Sequence, residues 1–359
     1  MGEYGLVLAG GGAKGIYQLG AWKAMREMNI KFSAVAGVSI GSINGALIAA
    51  DCYEEATGLW QCASVDRGVK ISKDLKDPEN LFSLKNATVL FKEIVKNGGI
   101  DASPTKELLL QFIDEKKVRK SKVKFGMVTF SLSEFEPIEI FADKIPEGEL
   151  VDYLLASSKV PGVSKIGPEG ERYLDGGVYD NAPIGLLRKH GYNRIIVVDI
   201  SSMKGFGHKS DMTNAEFVYI RPYDIDDLGA AFDFSDEMYE KRMKMGYLDT
   251  RKAFGYLAGR QFYFETSEFR KMVAEYGADA LEQLENLGFE LGVERFRVYE
   301  KEDFLAEVKE KFVEYQKEQQ QKAEESEQKF YSSILKRLPK FNSDKEFADA
   351  IAVLENMVE

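Results

Sequence analysis

The sequence predicts an α/β fold with its chemistry at strand ends. Three observations carry this. Short apolar runs alternate with helix-length segments through the first 258 residues. Two glycine-rich turns, Gly10–Gly15 and Gly37–Gly41, each join such a run to a helical segment. Ile195-Ile196-Val197-Val198 is a continuous apolar run, as a parallel strand buried on both faces requires. At 359 residues the chain has room for one large α/β domain and an appendage. After Gly259 turn signals thin and charge rises. Residues 1–258 are therefore expected to form the main domain, and 259–359 a helical C-terminal extension.

Tyr4 to Ala9 reads as the first strand. Ile16, Leu19, Ala24 and Met28 then recur at helical spacing, so the helix starts where the first glycine loop ends. Ala34-Val35-Ala36 is a second buried strand, and Ser42 to Ala50 a small-residue helix suited to lie close on a sheet. Glu54 to Cys62 extends a helix with Trp60 on its apolar face, while 66–97 reads as covering structure, either ordinary peripheral helices or a lid over Ser39. Ser103 is an N-cap followed by proline at the first helical position. Phe125–Phe130 and Ile138–Phe141 read as two strands joined by a turn at 133–137. A short helix from Leu150 to Ser158, a helix from Ile184 to Lys189, a strand at Phe217–Ile220 and a long helix from Ser235 follow. In the extension, Phe304, Val308, Phe312 and Tyr315 make a helical stripe.

Gly37-Val38-Ser39-Ile40-Gly41 stands between strand and helix, the arrangement of a nucleophile elbow. So sharp a turn brings Gly37 against Gly41, where a Cβ would clash, and leaves the Ser39 hydroxyl exposed beside the Ile40 N–H. The pentapeptide is also compatible with a plain strand-to-helix turn. Gly10, Gly12 and Gly15 satisfy G-x-G-x-x-G, but no acid stands between Phe32 and Asn44, where a dinucleotide site needs one. A P-loop is excluded because Ile16 follows Gly15. The remaining functional reading is an oxyanion hole of backbone donors somewhere in the Gly10–Gly15 loop, beside the plain reading of a structural turn. On this reading Gly12→Ala would put a methyl beside the acyl carbonyl. Lys14 is expected on the surface. Asp175-Gly176-Gly177 closes a short strand; by itself it is compatible with a solvated β-turn.

The formal charge of −11 argues against nucleic acid and against tight electrostatic adsorption to anionic lipid. Lys116 to Lys124 is the exception, with six basic residues in nine; it reads as a solvated helix end or a docking patch for lipid headgroups. Two cysteines and two histidines supply neither a disulfide framework nor a zinc set, so no metal and no cofactor are expected. The chain shows no signal peptide or membrane-spanning run, and a soluble cytoplasmic protein is expected, with peripheral membrane contact left open.

A serine hydrolase usually takes its base from histidine. His190 stands at a helix end before Gly191, a capping position, and His208 in a surface-loop composition. A serine paired directly with an aspartate fits better. At this point the sequence resembles the patatin-like phospholipase family, its bacterial branch in particular. Gly10-Gly11-Gly12-Ala13-Lys14-Gly15, Gly37-Val38-Ser39-Ile40-Gly41 and Asp175-Gly176-Gly177 match in order. Ala156-Ser157-Ser158 with Pro161, and Asn181 with Pro183, agree as well. The resemblance covers about 4–258.

The resemblance implies a three-layer α/β/α sandwich with a mostly parallel central sheet. It implies a Ser39–Asp175 dyad, with Ser39 as nucleophile, Asp175 as base and the Gly11 and Gly12 N–H groups foremost in the oxyanion loop. The implied reaction is hydrolysis of lipid acyl esters through an acyl-enzyme, without a metal. Two other readings stay open: a silent lipid-binding or scaffold module, and a nucleotide binder using the glycine loop. Headgroup, chain length and oligomeric state are not encoded in any recognisable motif.

Overall fold

The computed structural model describes residues 3–63, 103–158, 173–201 and 212–325. The expected segment 66–97, Pro161 and His208 lie outside these residues. One sheet contains β1 (Tyr4–Leu8), β2 (Phe32–Val38), β3 (Lys124–Ser131), β4 (Glu136–Phe141), β5 (Tyr173–Asp175), β6 (Arg194–Val198) and β7 (Glu216–Ile220). Its order is β4-β3-β2-β1-β6-β7, with β5 also pairing β3. From β3 across to β7 the neighbours are parallel; β4 and β5 are antiparallel to β3. The central strands are buried because both faces are covered: Leu6, Val7, Leu8, Val35 and Val197 have essentially no exposure.

Helices flank both faces. Ile184, Leu186 and Leu187 of a helix at Ile184–Lys189 pack with Val7, Ala34, Ala36, Val38 and Val197 on one face. Side chains alternate along a strand, so Val35 points to the other face. There α2 (Ile40–Ala49) lies so close that a Cβ on Gly45 would sit 3.0 Å from Phe125 and 3.2 Å from Val35. This is the three-layer α/β/α arrangement, with helices named in chain order. They are α1 (Ile16–Glu27), α2, α3 (Tyr53–Cys62), α4 (Ser103–Phe112), α5 (Glu115–Lys120), α6 (Leu150–Ser157), α7 (Ile184–Lys189) and α8 (Asp236–Ala253). Helices α1 and α8 cross backbone to backbone. A Cβ on Gly20 would overlap the Met243 carbonyl, and one on Gly246 the Tyr17 carbonyl. Beside this crossing the buried Tyr17 hydroxyl donates to Asp249 at 2.7 Å.

The chain divides into two compact units, Met1–Thr250 and Arg251–Glu359. The second holds α9 (Thr266–Tyr276), α10 (Ala278–Glu290) and α11 (Lys301–Glu325). It also holds a small sheet, β10-β9-β8, of β8 (Leu257–Ala258), β9 (Tyr263–Glu265) and β10 (Val298–Tyr299). The extension is therefore helical with a sheet inside it. Strands of two and three residues are too short to show alternation, which is why the sequence hides them. Phe262, Phe264, Leu284, Leu287, Phe304, Val308 and Phe312 belong to its core; of the stripe read from the sequence, Tyr315 alone stays half-buried outside it.

Candidate functional site

Strand pairing brings Ser39 and Asp175 together. Strand β2 occupies one edge of β3 up to the pair Val38–Val128. Strand β5 arrives from the opposite direction and ends with Asp175 opposite Thr129. The other edge of β3 is taken by β4, whose Ile138 also pairs Thr129. Strands β2 and β5 therefore meet head-on along one edge of β3, at neighbouring residues. Ser39 is the first residue beyond β2 and Asp175 the last of β5. The Ser39 hydroxyl lies near enough to the Asp175 carboxyl to pull its pKa down.

The elbow has the geometry its glycines predict. Ser39 adopts φ +54° and ψ −131°, a region that L side chains rarely enter. A Cβ on Gly37 would overlap the Gly41 carbonyl, and one on Gly41 the Leu8 carbonyl. Two bonds hold Ser39 there. Its N–H donates to Ser157 Oγ at 3.0 Å, and the Ser157 hydroxyl donates to the Val128 carbonyl at 2.6 Å. Ser157, fully buried at the end of α6, thus links the elbow to β3. The sequence flagged Ser157 only as a lesser agreement; its role needs the fold.

The first glycine loop lies against the elbow. A Cβ on Gly10 would stand 3.0 Å from Ser39 Cβ, and one on Gly15 2.7 Å from Ile40. The Gly10 N–H is already used: it donates to the Asn181 carbonyl at 3.2 Å, while Asn181 Nδ2 donates back to the Gly10 carbonyl at 3.3 Å. That bond commits the Gly10 N–H to the scaffold. Asn181 also packs on the Asp175 turn, since a Cβ on Gly177 would meet its Oδ1 at 2.7 Å. A Cβ on Gly176 would overlap the Val128 carbonyl.

Gly12 has φ +60°, and a Cβ there would overlap the Ala231 carbonyl. The methyl of Gly12→Ala would thus strike protein backbone, which corrects the expectation that it would lie beside the substrate. Ala231 also accepts the Ala13 N–H at 2.7 Å. Behind it the buried Arg242 donates to the carbonyls of Leu228 at 2.9 Å, Ala230 at 2.8 Å, Asp233 at 2.5 Å and Ala13 at 3.4 Å. One guanidinium therefore ties the 228–233 segment to the glycine loop. Under the loop, Asn44 donates to the Gly15 carbonyl at 3.0 Å and to Gln18 at 2.9 Å, and accepts from Trp60 at 2.9 Å. Gln18 in turn donates to the Ala9 carbonyl at 2.7 Å. Buried polar groups joined this way rigidify the turn they support.

Burial raises the Asp175 pKa from 3.8 to about 6, with the Ser39 hydroxyl and the Gly177 N–H (2.8 Å) pulling the other way. Lys14 is buried, not on the surface as expected; burial lowers its pKa first, with the Arg242 charge adding to it and Asp226 opposing. His190 caps α7, its Nδ1 lying 2.8 Å from the Leu186 carbonyl and its ring edge-on to Phe141 at 4.7 Å. Among the described residues no His, Cys, Asp and Glu group could hold a metal ion, and no helix is long and apolar enough to cross a membrane.

A family model described as patatin-like phospholipase matches residues 6–188. Over 205 residues the chain is 28% identical to a protein named lysophospholipase nte1 from Aspergillus terreus, a match that takes in 55% of this chain and 12% of that one. A protein named lysophospholipase NTE1 from Cryptococcus neoformans is 28% identical over 202 residues, covering 56% of this chain and 11% of its own length. The chain thus spans a small part of the length of the curated relatives it matches. Among solved structures, VipD from Legionella pneumophila is 15% identical with a TM-score of 0.40, covering 99% of this chain and 84% of that one.

Proposed function

The chain belongs to the patatin-like phospholipase family, and from that premise we propose that it is a serine acyl hydrolase cleaving lipid acyl esters through a Ser39–Asp175 dyad. The observation that carries this reading is the meeting of β2 and β5 along β3, which sets a strained serine beside a desolvated aspartate. Asp175 takes the Ser39 proton as Oγ attacks the acyl carbonyl. The oxyanion that forms is met by the N–H groups of Gly11, Gly12 and Ile40. Asp175 then gives its proton to the departing alcohol, leaving an acyl-enzyme. Water repeats the sequence, with Asp175 as base, and releases the fatty acid. An aspartate with its pKa near 6 is a better proton acceptor than one in water and is still ionised at neutral pH. Single-chain lysophospholipids are the first substrate class to test, after the names of the curated relatives.

The test is a fluorophosphonate probe with a lipid-ester panel on wild type, Ser39→Ala and Asp175→Asn. Labelling at Ser39 alone is expected, with hydrolysis abolished in Ser39→Ala and reduced by orders of magnitude in Asp175→Asn. Labelling that persists in folded Ser39→Ala would overturn the assignment. Hydrolysis lost in folded His190→Ala or His208→Ala would restore a triad.

A further inference from the structure

The basic run after α4 is not used by the reaction, and the fold places it far from Ser39. A cleft of about 770 Å³ opens among the start of β2, the segment leading into β3, the last turn of α2, and α5. Parallel strands share their direction, so this cleft lies at the amino end of the sheet and Ser39 at the carboxyl end. The seven residues of β2 separate the two by about 23 Å.

Part of the lysine charge in this cleft has no ion-pair partner. Arg26 is paired with Asp51, and Lys117 with Glu55 at 3.0 Å. Asp114 is engaged as the N-cap of α5, accepting N–H groups of Lys116 and Lys117 at 2.9 and 3.2 Å. Lys31, Lys116 and Lys120 also line the cleft, and among the described residues none of the three has an ion-pair partner. Three lysines without an ion-pair partner thus line one cleft in a chain whose net charge is −11. Ile30, Phe32 and Val123 give the same cleft an apolar floor. Two features oppose an anion, the Asp114 carboxylate and the carboxyl end of α2, where the Ser121 hydroxyl bonds the Ala49 carbonyl.

The geometry points to a binding site for a small organic anion carrying two or more phosphates, its phosphates on Lys31, Lys116 and Lys120 and its organic body on Ile30, Phe32 and Val123. Phosphate suits ammonium point charges that converge from separate elements. A bilayer is the wrong occupant. Lysines at the amino end of the sheet would hold the membrane a strand length from the serine that must reach its lipid. Nucleic acid is disfavoured by the charge of the whole chain.

The test is calorimetric titration of the full chain with ATP and with inorganic tripolyphosphate, beside sedimentation with phosphatidylglycerol vesicles. Both soluble probes are expected to bind, ATP more tightly because it also covers the floor, and binding should weaken with salt. Lys31→Gln/Lys116→Gln/Lys120→Gln should lose about tenfold or more in affinity for both probes, and each single variant a part of that. Circular dichroism and hydrolysis of a short-chain ester should match wild type, since none of the three residues is near Ser39. Failure of both probes to bind at about 1 mM overturns the site, as does wild-type affinity in the triple variant. Lysine-dependent binding to vesicles without binding to either soluble probe would also overturn it, in favour of membrane docking.

Discussion

The proposed role of Asp175 as a base depends on what surrounds it, and pH should reveal this in two ways. Its folded pKa is raised to about 6 from 3.8 by burial, so the proton is held more tightly in the folded chain than in the unfolded one. The proposed reaction needs the carboxylate, and kcat/KM on a soluble ester should therefore rise with pH through about 6 and then level. Stability should move the opposite way. Below pH 4 the carboxyl is neutral in both states and costs nothing; as pH rises toward 6 the fold must ionise a buried group or keep its proton. Asp175→Asn should therefore melt at a higher temperature than wild type at pH 8, with the gain fading by pH 4. A gain that is the same at both pH values would show that burial is not the cause. Ser157 acts on Ser39 through the backbone. Ser157→Ala leaves the Ser39 N–H and the Val128 carbonyl without their partner, and kcat should fall about tenfold with KM little changed. Equal kcat in a folded Ser157→Ala protein would remove Ser157 from the positioning of the elbow.

The glycine loop is held by a clamp, not by its own sequence. Arg242 bonds carbonyls on the 228–233 segment and on Ala13, and Ala231 closes over Gly12. In Arg242→Met at least three buried carbonyls lose their donor; the variant should slow fluorophosphonate labelling of Ser39 and lower kcat more than it raises KM. Arg242→Lys, which keeps the charge but not the fork, should recover only part of the loss. Loss of stability with an unchanged labelling rate would show that the clamp is structural alone. Gly12→Ala should be costlier, about 1–3 kcal/mol of folding free energy from its positive φ before the overlap is counted. The loop and the elbow were legible in the sequence because glycine is forced wherever backbone meets backbone. Their partners were not. Arg242 is one arginine on a polar helix, Ser157 one serine in an apolar one, and the head-on meeting of β2 and β5 depends on which strand β3 pairs with. Lys14 misled for a related reason: a lone lysine in a glycine loop reads as solvated until the fold covers it.

Each of the two compact units has its own core, so damage to one should leave the other's local structure in place. Phe304 packs on Phe262 at 4.8 Å and on Phe264 at 5.2 Å in the Arg251–Glu359 unit. Phe304→Ala should cost about 3–5 kcal/mol there. Calorimetry should show the loss, while fluorophosphonate labelling of Ser39 at 25 °C proceeds at the wild-type rate. Slower labelling in this variant would mean that the dyad depends on the second unit.

The left-handed backbone at Ser39 has a consequence for how this molecule can evolve. Alanine removes the hydroxyl but keeps the strain, because any Cβ is disfavoured at φ +54°. Glycine removes both. Ser39→Gly should therefore be inactive and yet outlast Ser39→Ala on heating, by about 1 kcal/mol after the extra chain entropy of glycine is subtracted. Selection for durability alone would drive this position to glycine, and a serine persists there only under continued demand for turnover. The difference in melting temperature between two dead variants is thus a direct reading of what activity costs this fold.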